Sequence, residues 1–522
     1  MIRNRLRRPS ERTIAGSAAA LAALVVGIIQ FRHGIVHLLD TVSYWSGAQA
    51  VADGHPFTSR LAPSFSNFDA IEFVQRGGRV PFVDFPLGYP LSAGIIGAVI
   101  GVRRAMQLIC VLSLAAIAAA AVAGTDTKRG RTIGAAIFGT LVVMLPITRT
   151  VTQGALSEPL FTAVALWFVI ALARFRGGGS FRPVAILGAS LGLLRFIGGP
   201  LIVMAAWEHH RRHRDLRRTA LVSLGMVAPT ALNAMWAAAA GGGHSAGWRG
   251  IGGDDITFLV RSIGGWFDSR QGDIRRTYFT LDGTSWWAWV VGAVWVIAAV
   301  YALACMIRGR SSRLRLTAPA EFALVASGVI TAGLLFGMLG FDALVAPDNR
   351  LMMPAGVLAL FALTWTVIDR LEVAPNLRFP LFDIAALVLL ALWAIFAVRP
   401  LDITERFSDE SGERPYVQDA RDLDVTVIVT DDADAMLWDT GISAVYFPQA
   451  TKVLTGEPVD EAAIYDALPC VLLENDGAMI LSRDAFFPVN REYIDAEVSK
   501  GTLALRDTPS ASIYLPTERA CD

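Results

Sequence analysis

The sequence predicts an α-helical polytopic membrane protein of about eleven crossings, followed by a small extracytoplasmic α/β domain. Three observations predict it. First, 54% of the 522 residues are apolar, above the roughly 45–50% of ordinary globular chains. The excess sits in blocks such as 14–31, 106–124, 221–240, 287–307, 322–340, 351–368 and 381–398, most of them near the ~20 residues a helix needs to cross a bilayer. Second, short clusters of Arg and Lys separate these blocks. Third, the formal net charge of zero hides a split: residues 401–522 hold 25 Asp and Glu against 9 Lys and Arg, a net of −16, which leaves +16 on the rest.

The first block follows a basic N-terminus carrying Arg3, Arg5, Arg7 and Arg8. No small-residue cleavage site stands out after it, so it reads as a retained signal anchor. Basic loops stay in the cytoplasm, which places the N-terminus inside. The later basic loops, at 128–131, 174–182, 209–218, 308–315 and 369–378, are all cytoplasmic if two crossings separate each neighbouring pair. Crossings near 14–32, 105–124, 132–147, 158–174, 183–196, 198–208, 217–240, 286–307, 320–340, 351–368 and 380–398 satisfy that condition. The apolar stretch 86–101 is left over. Counting it as a span would turn 128–131 outward, so it is expected as a helix dipping into the outer leaflet. An odd number of crossings puts the C-terminal domain outside. The long outer segments are then a first loop (about 33–103), a middle loop (about 241–285) and the C-terminal domain. The expected domains are 1–399 and 400–522. Only three of the 46 basic residues are Lys, which suggests high-GC coding and a bacterial source.

Past residue 400 the pattern changes. Residues 425–430 read as a buried strand, 432–438 as a short helix with acids in its first turn, where the helix dipole favours them, and 443–447 as a second strand. Residues 461–468 read as a helix, 470–473 as a third strand and 512–515 as a closing strand. Alternating strands and helices indicate a small α/β domain. It has no Gly-rich phosphate loop, no zinc spacing and no nucleophile triad, so it is expected to support a membrane site. Cys470 and Cys521 fit no zinc motif; a disulfide in an oxidising compartment and two free thiols are both open.

Ionisable groups at membrane depth are costly and mark function. Asp40 follows the first crossing, backed by Leu38, Leu39 and Trp45, and is a candidate general base; helix capping is the simpler account from spacing alone. His33, His37 and Asp40 share a helical face, a spacing that a metal could use and that interface histidines explain more simply. Glu158 opens a crossing before Pro159, and Arg195 needs an anionic partner, either Glu158 or a phosphate. Arg350, before Pro354, suits bidentate phosphate binding or interface snorkelling. The topology brings Asp40, Glu158, Arg195 and Arg350 to one membrane face, which points to an anionic lipid substrate. The basic clusters are accounted for by topology, so nucleic acid is not expected as a partner.

These motifs, in this order, resemble the multi-spanning glycosyltransferases of the C-type (GT-C) fold, near the protein mannosyltransferase and aminoarabinose transferase group. The first-loop Asp with its aromatic and small residues is matched by Asp40, Tyr44, Gly47 and Ala48. The Pro/Tyr run is matched by Pro86, Tyr89 and Pro90, the Ser-Glu by Ser157 and Glu158, the Arg before small residues by Arg195, and the late Arg-x-x-x-Pro by Arg350 and Pro354. A second acid often accompanies the family's first-loop Asp. Asp69, Glu72 and Asp84 are candidates here without a motif, so a divalent metal is possible but not specified. The resemblance implies a polyprenyl-phosphate-linked sugar donor and an extracytoplasmic acceptor, whether glycan, lipid or protein. Asp40 would be the base, and Tyr44, Tyr89, Glu158, Arg195 and Arg350 would bind substrate. A lipid-linked-sugar flippase and a non-catalytic scaffold are the competing readings; no internal repeat of the transporter kind is seen.

Overall fold

The computed structural model describes residues 11–32, 34–36, 39–62, 70–83, 85–125, 131–240, 316–340, 349–370, 414–448, 460–483 and 489–521, with isolated positions between 297 and 308. The expected middle loop and the expected crossing 380–398 lie outside them, as does most of the crossing 286–307. The chain divides into two compact units. The first comprises Met1–Ile35, Gln107–Asn233 and Trp248–Leu401, and the second Val36–Met106, Ala234–Gly247 and Asp402–Asp522.

The described part of the first unit is helical. Glu11–Gln30, Glu158–Arg176, Val102–Ala123 (whose start, to Met106, belongs to the second unit) and Leu216–Ala237 (whose end, from Ala234, does too) are long and apolar enough to cross a membrane. Thr132–Val143 and Ile147–Gln153 pass together as a pair bent by 58°. Pro146 begins the second limb, where its missing N–H costs no helical bond. Helix Glu158–Arg176 has Pro159 and an acid in its first turn and Arg174 and Arg176 in its last, which matches the helix dipole at both ends. Helices Arg182–Leu194 and Leu201–His213 have 13 residues each. At 1.5 Å per residue they are about 20 Å long, short of the ~30 Å hydrocarbon core. The chain breaks between them because Arg195 is extended (φ −153°, ψ 136°) and enters a 3₁₀ turn at Phe196–Gly198. A Cβ at Gly198 would lie 2.4 Å from the Leu191 carbonyl oxygen, so the turn has room for glycine alone.

Helix Ala318–Gly340 packs on helix Asn349–Arg370, where Ser327 donates to the Ala355 carbonyl at 2.6 Å. Trp365 donates to the Ala121 carbonyl at 2.9 Å and fills the space above Gly124, where a Cβ would sit 2.2 Å from the indole. One ion cluster ties three helices. Arg176 bonds Glu208 at 2.6 Å and Glu321 at 3.1 Å, with both carboxylates almost fully buried, and stacks over Phe322.

The second unit holds two sheets, an antiparallel pair of β1 (Thr58–Ser59) with β3 (Val80–Pro81) and a mixed sheet of β2 (Leu61–Ala62), β4 (Val427–Thr430), β5 (Ser443–Tyr446), β6 (Gly477–Ser482), β7 (Leu503–Asp507) and β8 (Ala511–Pro516). These six lie in the order β2-β5-β4-β6-β8-β7. β2, β5, β4 and β6 run parallel, and β8 and β7 continue antiparallel. β4 is buried throughout, as the continuous apolar run of an inner parallel strand requires. The edge strand β2 and helix Ala70–Gln75 come from the first loop, and Phe73 and Val74 join Val427, Val429, Leu468 and Ile494 in one core. The first loop and the C-terminal region therefore fold together.

The expected strand at 470–473 is corrected. Cys470, Val471, Leu472 and Leu473 lie in helix Glu461–Glu474, which runs through Pro469, and the third long strand is β6 instead. Leu468, Val471 and Leu472 are buried at the three-to-four-residue interval of one helical face, so the apolar run packs as a helix. Cys470 and Cys521 form a disulfide across 51 residues. Closing a loop of that length contributes about 4 kcal/mol in the chain-entropy account.

Candidate active site

The sequence candidates fall in both units. In the second, Asp40 lies in the first turn of helix Leu39–Ala52, where the dipole favours its charge. Its side chain is partly exposed, while Thr41, Ser43, Tyr44 and Ser46 behind it are buried. Tyr44 stands one turn further along. Its ring lies 4.7 Å from Phe85 and 5.1 Å from Tyr89, and both tyrosines are at most 2% exposed. Tyr89 opens helix Gly88–Ile100, which packs closely on the Asp40 helix at Gly94, where a Cβ would lie 2.5 Å from the Ala48 carbonyl oxygen and from Val51; a Cβ at Gly47 would lie 2.8 Å from the Phe82 ring. The aromatic and small residues around Asp40 thus form a rigid mount for it.

A second acid comes from the far end of the chain. Helix Ala433–Thr440, capped by Asp432, packs on the Asp40 helix through Trp45 and Trp438, whose rings are 5.3 Å apart. Arg103 lies over both indoles, 5.4 and 4.0 Å from their centres, and donates to the Trp438 carbonyl. Asp434, one turn before Trp438, is 5% exposed. Its Oδ2 accepts from the Tyr446 hydroxyl at 2.8 Å, and its Oδ1 has no hydrogen-bond partner among the described residues. Burial, and then the nearby charge of Asp40, push the Asp434 carboxyl from an ordinary 3.8 up to about 7; the Tyr446 bond and Arg414 act against this. Burial also raises the Tyr446 hydroxyl. Arg414 is itself engaged by Asp432 and Tyr416. Sequence reasoning saw an acidic helix start at 432–438 and gave Asp434 no role, because nothing local ties it to a residue 394 positions earlier.

The raised value has a sign. Asp434 keeps its proton up to about pH 7 when folded and loses it near pH 4 when unfolded. Its contribution to stability is complete below pH about 4 and is lost as pH rises to about 7. Asp434→Asn is expected to flatten that part of the stability curve in melts of the purified chain between pH 4 and 8; a slope equal to wild type contradicts the assignment.

In the first unit, Arg195 bonds Glu158 at 2.8 Å, with Glu158 2% and Arg195 16% exposed in their side chains, and donates to Ser157 Oγ at 3.0 Å. Glu158, one of the two partners open to Arg195 in the sequence, is in place beside it. One turn beyond Glu158, the Thr162 hydroxyl meets Met353 Sδ at 3.2 Å, so the starts of helices Glu158–Arg176 and Asn349–Arg370 lie together. The backbone of Arg350 belongs to that first turn; its side chain is outside the described residues, as are His33, His37, Asp69 and Asp84. Glu72 is bound to Arg76 at 2.7 Å on the surface. Arg149, on helix Pro146–Gln153, is 9% exposed and within electrostatic reach of Arg32. Sequence reasoning gave Arg149 no role: it lies just past the crossing expected at 132–147, and nothing local ties it to Arg32.

Among the described residues, one group of three ligand-type side chains lies within reach of a common ion: Cys470, Glu474 and Cys521. Two of these are consumed by the disulfide, so this group is not a metal centre. Asp40 and Asp434 offer oxygen donors of the kind a hard divalent cation takes.

No protein-family model and no curated protein matches the chain. Solved structures similar to it include ArnT from Cupriavidus metallidurans bound to undecaprenyl phosphate (14% identity, 98% of each chain covered, TM-score 0.49). They also include the archaeal oligosaccharyltransferase AglB from Archaeoglobus fulgidus, in complex with an inhibitory peptide and a dolichol-phosphate (12% identity, 96% of this chain and 74% of that one, TM-score 0.45). Likeness at this level leaves the assignment of function to the residues of this chain itself.

Proposed function

We propose that this chain is a polytopic membrane glycosyltransferase that moves a sugar from a polyprenyl-phosphate donor to an extracytoplasmic acceptor. The observation that carries the reading is Asp40: a part-exposed carboxylate held on a rigid aromatic mount, with a second, buried acid beside it. In the reaction, Asp40 takes the proton of an acceptor hydroxyl as that oxygen bonds to the anomeric carbon of the sugar. The bond from that carbon to the phosphate oxygen breaks, and polyprenyl phosphate departs. Its growing charge is the task assigned to Arg350. Arg195, neutralised by Glu158, shapes this region and adds no net charge. Tyr44 and Tyr89 act by fixing the Asp40 helix.

Eleven crossings with a cytoplasmic N-terminus and an outer C-terminal domain complete the proposal. The Cys470–Cys521 disulfide supports that sidedness, because such bonds persist in oxidising compartments. The acceptor is a glycan, a lipid or a protein of the cell envelope. Loss of the gene is expected to make a lipid-linked sugar accumulate in membrane extracts, read by mass spectrometry. An unchanged lipid profile contradicts the reading, and accumulation confined to the inner leaflet would favour a flippase.

A further inference from the structure

Phe57, Thr58, Arg76, Arg79, Pro81 and Trp236, all in the second unit, wall a hollow of about 140 Å³. Three features in it cost the fold something and do no visible work there. Phe57 has a left-handed backbone, φ +71°, which a bulky residue rarely adopts without a functional reason. Its ring and that of Trp236 are 39% and 38% exposed, 5.6 Å apart and tilted by 52°. The Nη1 of Arg79 is buried and has no hydrogen-bond partner among the described residues, a state that folded proteins rarely leave unexplained.

The surroundings hold these features in place. The Phe57 carbonyl accepts from the Phe82 amide at 2.8 Å, and Thr58 pairs with Pro81 across β1 and β3. Gly77 and Gly78 turn the chain just before Arg79 with φ +65° and +69°, and a Cβ at Gly78 would lie 2.5 Å from Ser443. Arg79 is therefore fixed by a turn that admits no other side chain. The local charge is positive. Arg60 is close enough that, after burial, the charge of Arg79 holds its guanidinium below the usual range. Against Arg60, Arg76 and Arg79 stand Glu72, bound to Arg76, and Asp53, which acts on Arg60.

The hollow is coupled to the Asp40 helix. Ser46 Oγ lies 3.0 Å from Ser59 Oγ and accepts from the Arg60 amide at 2.8 Å. Ser46 is six residues past Asp40, about 9 Å along the helix axis at 1.5 Å per residue.

We propose that the hollow is a subsite for the charged part of the acceptor, glycan or lipid, with a carboxylate or phosphate on Arg79 and a sugar ring against Trp236 and Phe57. Concave sites with aromatic walls and one fixed polar group recognise ligands in this way. The proposal rests on the glycosyl-transfer reading for the word acceptor, while its test reads binding alone.

The test uses the full chain in phosphatidylcholine nanodiscs, titrated calorimetrically with glucose 6-phosphate, glucuronate and glucose. Both charged sugars are expected to bind, glucose more weakly, and Arg79→Gln to weaken the charged sugars about tenfold or more. Trp236→Ala is expected to weaken glucose 6-phosphate but not inorganic phosphate. If phosphatidylglycerol in the disc competes with glucose 6-phosphate in wild type but not in Arg79→Gln, the anion site is supported and its source is a lipid headgroup. Equal affinity of wild type and Arg79→Gln for every probe, or of wild type for glucose and its phosphate, overturns the proposal. Should Arg79→Gln fail to fold, Arg79→Lys, which keeps the charge and loses the fork geometry, is expected to show an intermediate affinity. An inactive Asp40→Asn protein that still binds glucose 6-phosphate separates this proposal from the catalytic one.

Discussion

Asp40→Asn is expected to lower sugar transfer about 10²- to 10⁴-fold, the range a positioned general base contributes, with the protein still present in the membrane. The amide keeps the size of the side chain and its place in the first turn of helix Leu39–Ala52 but cannot take a proton. The mount behind it, Tyr44 with Phe85 and Tyr89, does not depend on the charge. In cells lacking the native gene, the variant should restore the protein level and leave the glycan missing. Full restoration of the glycan by Asp40→Asn would remove Asp40 from the mechanism. Asp434→Asn should behave differently, shifting the pH profile of transfer, because it removes a buried acid that titrates at about 7 within reach of the charge of Asp40.

The largest effect on stability is expected at Arg176. Its guanidinium is the cation that Glu208 and Glu321 share, at 2.6 and 3.1 Å, and the carboxylates are 3% and 6% exposed. Arg176→Ala leaves both without that partner, with Arg211 3.7 Å from Glu208. Removing one member of a buried ion pair costs about 3–5 kcal/mol, and here two acids lose their charge partner at once. Thermal unfolding in detergent should show the loss, and Glu208→Gln with Glu321→Gln in the same background should recover part of it. A loss under about 1 kcal/mol, the scale of surface pairs, would mean that water reaches the cluster.

The helical body was legible because its signals are local. Apolar length and the basic loops placed the helix starts at Glu11, Val102, Glu158 and Leu216 within a few residues. The same logic hid the Arg176 cluster, since an Arg beside a basic loop is already accounted for by sidedness. Arg195 advertised its need for an anion, and Glu158 was one of two answers in view. Asp434 and β2 carried no such sign. β2 is two residues long and pairs with β5 across most of the chain, and Asp434 comes within electrostatic reach of Asp40 through the same long-range folding. The helix at Cys470 was misread because Pro469 marks a helix end in most contexts, while burial of Leu468, Val471 and Leu472 carried this one through.

The most direct measurement is mass spectrometry of lipids after the purified chain is incubated with a membrane extract containing lipid-linked sugars and the acceptor fraction. The account predicts that wild type converts one polyprenyl-phosphate sugar to free polyprenyl phosphate, with a matching mass gain on an acceptor, and that Asp40→Asn leaves that donor intact. Donor consumption by the Asp40→Asn protein at the wild-type rate, or none by wild type in an extract that supports the reaction in cells, would contradict it.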